Sequence, residues 1–303
     1  MRKIGFIATL ALLLGMGTTF GQDEYIRFRP GPSKTDGALQ IAVEEWTTTA
    51  GVKVTLFGVV HVADEAYYQQ VQRDLATYDA VLYEGVGATK KVLAQARKKG
   101  SASGLSSFQK GFGSLLGLQF QMEGIAYTHS NLVHADMGRD QFQQQTKGES
   151  LNPLDRFVSK EQQKQLEPFI KLAGEFLNMY LESNPDMRNG WKVTLGSQMA
   201  GADMTKQLPP KMYQTIVIDR NQIVMNVLAE QLRKHPKKKN IAIFYGAAHN
   251  PDFAQRFRKL GYTKTSVRWM TAWNIGRGAN ARRGPVPSKP KEETKKPKPA
   301  KSY

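Results

Sequence analysis

The stretch from Val52 to Gly85 constrains this chain more than any other, because it reads as strand, helix and strand with an ionisable residue closing each strand. Val52 to Val60 (VKVTLFGVV) is short, apolar and rich in β-branched residues, which is the composition of a buried strand. His61 follows directly. Asp64 opens a pattern through Tyr67, Tyr68, Val71 and Leu75 whose three-and-four spacing makes one apolar stripe on a helix. Asp79 to Tyr83 (DAVLY) is the next strand, and Glu84 ends it. Strands joined by a crossover helix run parallel, so their C-terminal ends share one edge of the sheet. That edge is where open α/β sheets place their ligands. His61 and Glu84 are therefore expected as near neighbours.

Other short runs extend the same plan. Ala38 to Trp46 is expected as a hairpin partner of the Val52 strand, Asn131 to Ala135 (NLVHA) as a strand ending at Asp136, and Thr265 to Trp269 as the last strand. Gly85 to Lys99 has helical composition, whereas Ser101 to Gly117 is Ser/Gly-rich and reads as a mobile flap. From Arg139 to Pro185 the spacing of Leu166, Phe169, Ile170, Ala173, Phe176 and Leu177 predicts helices. A helix over Tyr213 to Leu232 gathers Ile216, Val217, Ile223, Val224, Val227 and Leu228 on one face at about 100° per residue. Arg220 falls at the centre of that face. A guanidinium inside an apolar stripe is costly unless an anion meets it, so Arg220 is expected in a site or a buried ion pair, with Asp219 at the stripe's edge.

Asn240 to Tyr245 (NIAIFY) is a further apolar strand running into Gly246-Ala247-Ala248-His249, as the first strand ran into Gly58-Val59-Val60-His61. Two Gly-x-x-His endings, each just after a buried strand, thus frame the chain. Asn250-Pro251 then starts a helix through Phe253, Phe257 and Leu260, closed by Gly261.

Charge and composition bound the rest. Arg2 and Lys3 precede an apolar run from Ile4 to Leu14, and small residues near Gly21 complete the pattern of a signal peptide over residues 1–21. The chain is thus expected to be exported, to a periplasmic or extracellular space, with no transmembrane segment after cleavage. It has no cysteine, so disulfides and thiolate metal ligands are excluded. Residues 22–37 read as an irregular lead-in, 38–275 as one α/β domain with a helical insertion at about 139–210, and 276–303 as a disordered tail. Formal net charge is +17, and the tail contributes nine Lys or Arg against two Glu. For an exported chain such a tail suits solubility or an anionic envelope surface better than nucleic acid. The expected fold class is α/β, a mainly parallel sheet with a mixed edge, flanked by helices.

With these residues in view, the chain resembles the TraB/PrgY family and its GumN and TIKI relatives from about Gln40 to Trp269, through GVVHVADEAYYQQV, DAVLYEGV, IDRNQIVMNVL and FYGAAHNPDFAQRFRKLGY in that order. The resemblance maps the family's first histidine onto His61, its strand-end acid onto Glu84, its arginine onto Arg220 and its last histidine onto His249. TIKI members are regarded as divalent-metal-dependent proteases, which implies a metal here, manganese or cobalt first and zinc or iron next. The 139–210 segment and the basic tail depart from the family's pattern.

Two imidazoles and a carboxylate around an open position are enough to bind a catalytic metal, and without thiolates the set favours manganese, cobalt, iron or zinc. In that arrangement His61 and His249 are ligands and Glu84 is the third ligand or the general base. Arg220 stabilises the oxyanion formed at a carbonyl, and Asp136 is a fourth ligand or an acceptor that holds a histidine tautomer. The expected function is a metal-dependent hydrolase acting on a peptide or other small substrate. Its alternatives are a protein of the same fold that sequesters its ligand without turnover, and a structural envelope protein tethered by its tail.

Overall fold

The computed structural model describes residues 24–87, 104–146, 160–202 and 208–276. The expected signal segment, the basic tail and most of the helix expected after Glu84 lie outside them. The apolar runs form strands β1 (Ile26–Pro30), β2 (Gly37–Thr47), β3 (Lys53–Val59), β4 (Val62–Ala63), β5 (Ala80–Tyr83), β6 (Gln119–Phe120), β7 (Leu132–His134), β8 (Asn240–Gly246) and β9 (Thr263–Ile275). Between them stand helices α1 (Glu65–Leu75), α2 (Gly104–Leu115), α3 (Gln121–Gly124), α4 (Arg139–Gln145), α5 (Lys160–Ser183), α6 (Pro185–Ala200), α7 (Pro210–Tyr213), α8 (Arg220–Lys234) and α9 (Asn250–Lys259). No described helix is long and apolar enough to cross a membrane.

Seven strands make one mixed sheet, with helices on both faces. Its inner part is parallel, β3 beside β8, β8 beside β5 and β5 beside β7, while β2 pairs antiparallel with β1, β3 and β9. One edge of β2 runs its whole length against β9, from Gly37↔Ile275 to Thr47↔Thr263. The other edge is shared end to end, Ile41 to Gly37 meeting β1 and Val43 to Thr47 meeting β3. The strand-helix-strand unit of Val52 to Gly85 therefore holds as expected, with one change. β8 lies between β3 and β5, so the strands joined by α1 are not themselves neighbours.

Alternation sorts the core. Phe57, Val59, Val81, Tyr83, Ala242 and Phe244 face α1, whose Tyr67, Tyr68, Val71 and Leu75 are all buried. Val54, Leu56, Ala80, Leu82, Ile241, Ile243 and Tyr245 face Val224 and Leu228 of α8 and Phe253 and Phe257 of α9. Each large apolar side chain so buried contributes about 1.5–3 kcal/mol, which is why period-two runs fix the register.

Three expectations change. The lead-in contains β1: Arg27 and Arg29 hid it, yet Arg27 donates to Gln40 and lies over the Trp269 ring. The flap expected over Ser101 to Gly117 is largely α2, where the helix-weakening Gly113 lets the backbone approach Val62 and the Leu118 carbonyl; an added Cβ would sit 3.0 and 3.2 Å from them. The helical insertion also joins the core through α6, whose Val193, Leu195 and Met199 pack on the sheet. Leu172 and Phe176 of α5, by contrast, are each 66% exposed.

Gly58, the first residue of the first Gly-x-x-His ending, is required by space. An added Cβ would meet Asn250 Nδ2 at 2.9 Å, Ile41 Cγ2 at 3.1 Å and Ala247 Cβ at 3.2 Å, so the glycine lets the turn after β8 lie against β3. Gly58→Ala is expected to destabilise the fold by about 1–3 kcal/mol through overpacking. Gly190→Ala, inside α6 with nothing within 4 Å of the added carbon, is expected to stabilise it by about 0.5–1 kcal/mol. Urea denaturation of the two variants checks both signs.

Candidate functional site

Four parallel strands, β3, β8, β5 and β7, end on one edge of the sheet, and the residues just beyond them carry the ionisable groups. Beyond β5 stands Glu84 and beyond β7 stands Asp136. The turn after β8 carries His249, which is 4% exposed, and His61 beyond β3 is exposed.

Arg220 reaches this edge from the far side of the sheet. The helix expected from Tyr213 is continuous but not uniform, since Gln214–Asp219 form a π-helical segment and Arg220 begins the regular α8. A π segment shifts the side chains that follow it relative to those before, and such segments are frequent at functional sites. Arg220 Nε donates to Asp136 Oδ1 at 2.9 Å, and Nη2 donates to Asp136 Oδ2 at 2.8 Å and Glu84 Oε1 at 2.7 Å. Nη1 donates to the Ile216 carbonyl at 3.3 Å. One buried guanidinium thus clamps two carboxylates, as the apolar surroundings of Arg220 required. Burial opposes its charge, but Glu84 and Asp136 outweigh burial and raise its pKa above the ordinary value.

Glu84 is held on both oxygens, because Oε2 accepts the Gly246 N–H at 2.7 Å. Gly246, the first residue of the second Gly-x-x-His ending, is also the point of closest approach, where an added Cβ would stand 3.3 Å from Oε2. Burial alone would raise the Glu84 pKa. Arg220 reverses that effect, assisted by His249, His61 and the Gly246 N–H, and the pKa is lowered to about 2.

His249 Nε2 stands 3.7 Å from Glu84 Oε1, too far for a hydrogen bond. Its Nδ1 lies 2.6 Å from Asn221 Oδ1. Burial lowers the pKa of His249 to about 4, overcoming the opposing pull of Glu84, so the ring is neutral at pH 7. His61 Nδ1 lies 3.3 Å from Gln121 Oε1, and Gln121 in turn donates to the Tyr127 hydroxyl at 2.9 Å. His134 ends β7, and its Nε2 bonds the Gly85 carbonyl at 2.6 Å; Asp219 accepts from Gln214 on the surface.

The structure therefore brings Glu84, Arg220, His249 and Asp136 into one buried cluster, with His61 near enough for its charge to act on Glu84. Because β8 intervenes, His249 rather than His61 is the immediate neighbour of Glu84. Asp136 holds no histidine and is not placed as a metal ligand: its oxygens accept from Arg220, from Met137 N at 2.7 Å and from Gly85 N at 2.7 Å. Asn221, rather than Asp136, is the side chain beside His249 Nδ1. It adjoins Arg220 in the sequence, but an asparagine on a helix carries no signal of its own, and neither does Gln121.

Comparison with family models and with curated proteins finds no match.

A divalent ion needs donors with free lone pairs. His249 Nε2 and Glu84 Oε1 meet that need in type, an uncharged imidazole beside an ionised carboxylate, at a separation close to that of two ligands with bonds of about 2.1 Å. The pair supplies two donors of the kind a divalent ion takes. Among the described residues, however, no group of three or more His, Asp or Glu is already assembled around one point. Exposed His61, bonded to Gln121, is the remaining donor of the expected set.

Two outcomes follow. In metal-free protein His249 binds its proton only near pH 4 when folded but near 6.5 when unfolded, so the unfolded chain takes up more protons between those values. That contribution is full above 6.5 and is lost as pH falls through 4, reaching about 3 kcal/mol. Urea unfolding at pH 7 and pH 4.5, compared with His249→Gln, should show the smaller acid loss in the variant. Arg220→Met should cost about 3–5 kcal/mol, because it leaves two carboxylates buried without their counter-charge. Calorimetry of that variant measures the loss.

Proposed function

We propose that this chain is an exported, metal-dependent hydrolase of the TraB/PrgY kind, with peptide bonds as its first substrate class. The observation that carries this reading is the pairing of neutral His249 Nε2 with ionised Glu84 Oε1 across 3.7 Å, at the sheet edge where parallel strands end. Export rests on the charged and apolar residues of the N-terminus.

His249, Glu84 and His61 are the residues that would hold the ion. When bound, a divalent ion supplies a water whose pKa is lowered toward neutrality. The chain's own groups divide the remaining work. A carboxylate with a pKa near 2 is a weak proton acceptor at neutral pH, so Glu84 serves better as a ligand than as the general base. Arg220, with Nε and Nη2 committed to Asp136 and Glu84, acts first by fixing the Glu84 carboxylate. Stabilising an oxyanion would fall to the remaining Nη1 edge, which contacts the Ile216 carbonyl. The Gly246 N–H holds the second Glu84 oxygen and keeps the first turned toward His249.

One observation favours the sequestering alternative. The described residues do not preassemble a third metal donor, and a pocket that binds a peptide without cleaving it needs none. The basic tail, in either reading, suits solubility or attachment to an anionic envelope surface.

The test uses full-length protein stripped by chelator, then reloaded with manganese, cobalt or zinc and incubated with a peptide library in ¹⁸O-water. Hydrolysis predicts time-dependent fragments carrying one heavy oxygen, only in the reloaded protein, and none with Glu84→Gln. Peptide retained at one equivalent with no fragments would establish sequestration instead.

A further inference from the structure

We infer that Asn221 is a positioning residue that locks His249 in the Nδ1–H tautomer and so keeps the Nε2 lone pair turned toward Glu84. The inference rests on the hydrolase reading for the use made of that lone pair, though not for its existence.

The argument starts from the orientation of the Asn221 amide, whose O and N ends are similar in shape and are assigned from their partners. One end of Asn221 lies 3.1 Å from the His249 carbonyl oxygen and 2.8 Å from Asp252 Oδ2. Both partners accept hydrogen bonds only, so that end must be the NH2 group. The Asp252 carboxylate is held in place by Arg256 Nε at 2.6 Å, and Arg256 Nη2 is bonded to the Ile218 carbonyl. The amide therefore cannot be turned over without setting its oxygen against two acceptors in the interior, where an unmatched polar group costs most. Asn221 is fully buried.

With the NH2 group assigned, the opposite end is the carbonyl oxygen, and it lies 2.6 Å from His249 Nδ1. An oxygen at that distance requires a proton on the nitrogen. Neutral imidazole carries one proton, so Nε2 has none. Nε2, without a proton, then stands 3.7 Å from Glu84 Oε1, which accepts from Arg220 Nη2. Without Asn221 the ring would be free to place its proton on Nε2 and turn that nitrogen into a donor to Glu84. The amide removes this escape and keeps the metal-binding face of the ring open. The same residue reaches both the side chain and the backbone carbonyl of His249, so it fixes ring orientation as well as tautomer.

The experiment is nitrogen-15 NMR of the metal-free, full-length chain with labelled histidine at pH 7, using the proton couplings of each ring to read its tautomer. The His249 signal is identified by through-space contacts to the Tyr245 and Phe253 rings, whose centroids lie 5.1 and 6.3 Å away. The expected result is a single Nδ1–H tautomer in the native protein and a mixture, or Nε2–H, in Asn221→Leu. Native protein with His249 as Nε2–H overturns the inference, as does a folded Asn221→Leu that retains Nδ1–H alone. If the leucine variant does not fold, Asn221→Ser, too short to reach Nδ1, is read the same way. The hydrolase reading fails separately: Nδ1–H in a protein that yields no fragments with any metal leaves the inference standing without it. Fragments from a protein whose His249 is Nε2–H would do the reverse.

Discussion

The bidentate contact of Arg220 with Asp136, shared with Glu84, is the interaction on which the site depends. It joins α8 to the ends of β5 and β7, and through Glu84 and the Gly246 N–H to the end of β8. Buried ion pairs often add little net stability, because desolvation cancels much of their attraction. Their effect lies in what they forbid. With two carboxylates in the interior, no register of α8 that withdraws the guanidinium is tolerable, so the helix has one position. The π segment before Arg220 is consistent with that demand: the turn carrying Ile216 and Val217 packs one way, and the residues from Arg220 onward present another.

Close approach at the strand ends explains both glycines of the Gly-x-x-His endings. Gly58 makes room for the turn that follows β8, and Gly246 makes room for the carboxylate that its own N–H binds. The repeated motif is thus a repeated steric requirement at the ends of two adjacent parallel strands. His249 gains its position from the second turn and from Asn221, whereas His61 remains at the surface, tied to Gln121.

Much of this was legible in the residues because it depends on local pattern. Short continuous apolar runs located β3, β5, β7 and β8, and the stripe around Arg220 revealed a charge that needed an anion. What was not legible depends on contacts between distant segments. That β8 enters between β3 and β5 follows from no local feature, and it moves His249, rather than His61, beside Glu84. The β1 strand was obscured by arginines and proline, and α2 by glycines that serve close packing. Asn221 and Gln121 act through amide oxygens whose direction only the assembled fold determines. Asp136 stood at the right strand end for a ligand, but its oxygens are taken by Arg220 and two backbone N–H groups.

A purely structural histidine beside a carboxylate would be expected to close the gap. An Nε2–H donating to Glu84 would satisfy both groups and raise the histidine's pKa, and burial would then favour the bonded pair. Here the ring is held back at 3.7 Å, kept neutral by burial, and bonded through its other nitrogen to an amide oxygen. Glu84, meanwhile, is kept ionised by Arg220 and by the Gly246 N–H. His249 is bonded through Nδ1 to Asn221, and Glu84 Oε1, the oxygen nearest Nε2, accepts from Arg220 Nη2. The proposed binding role asks that a further positively charged group or strong donor enter beside Nε2 and Oε1, in the place that a hydrogen-bonded structural pair would close.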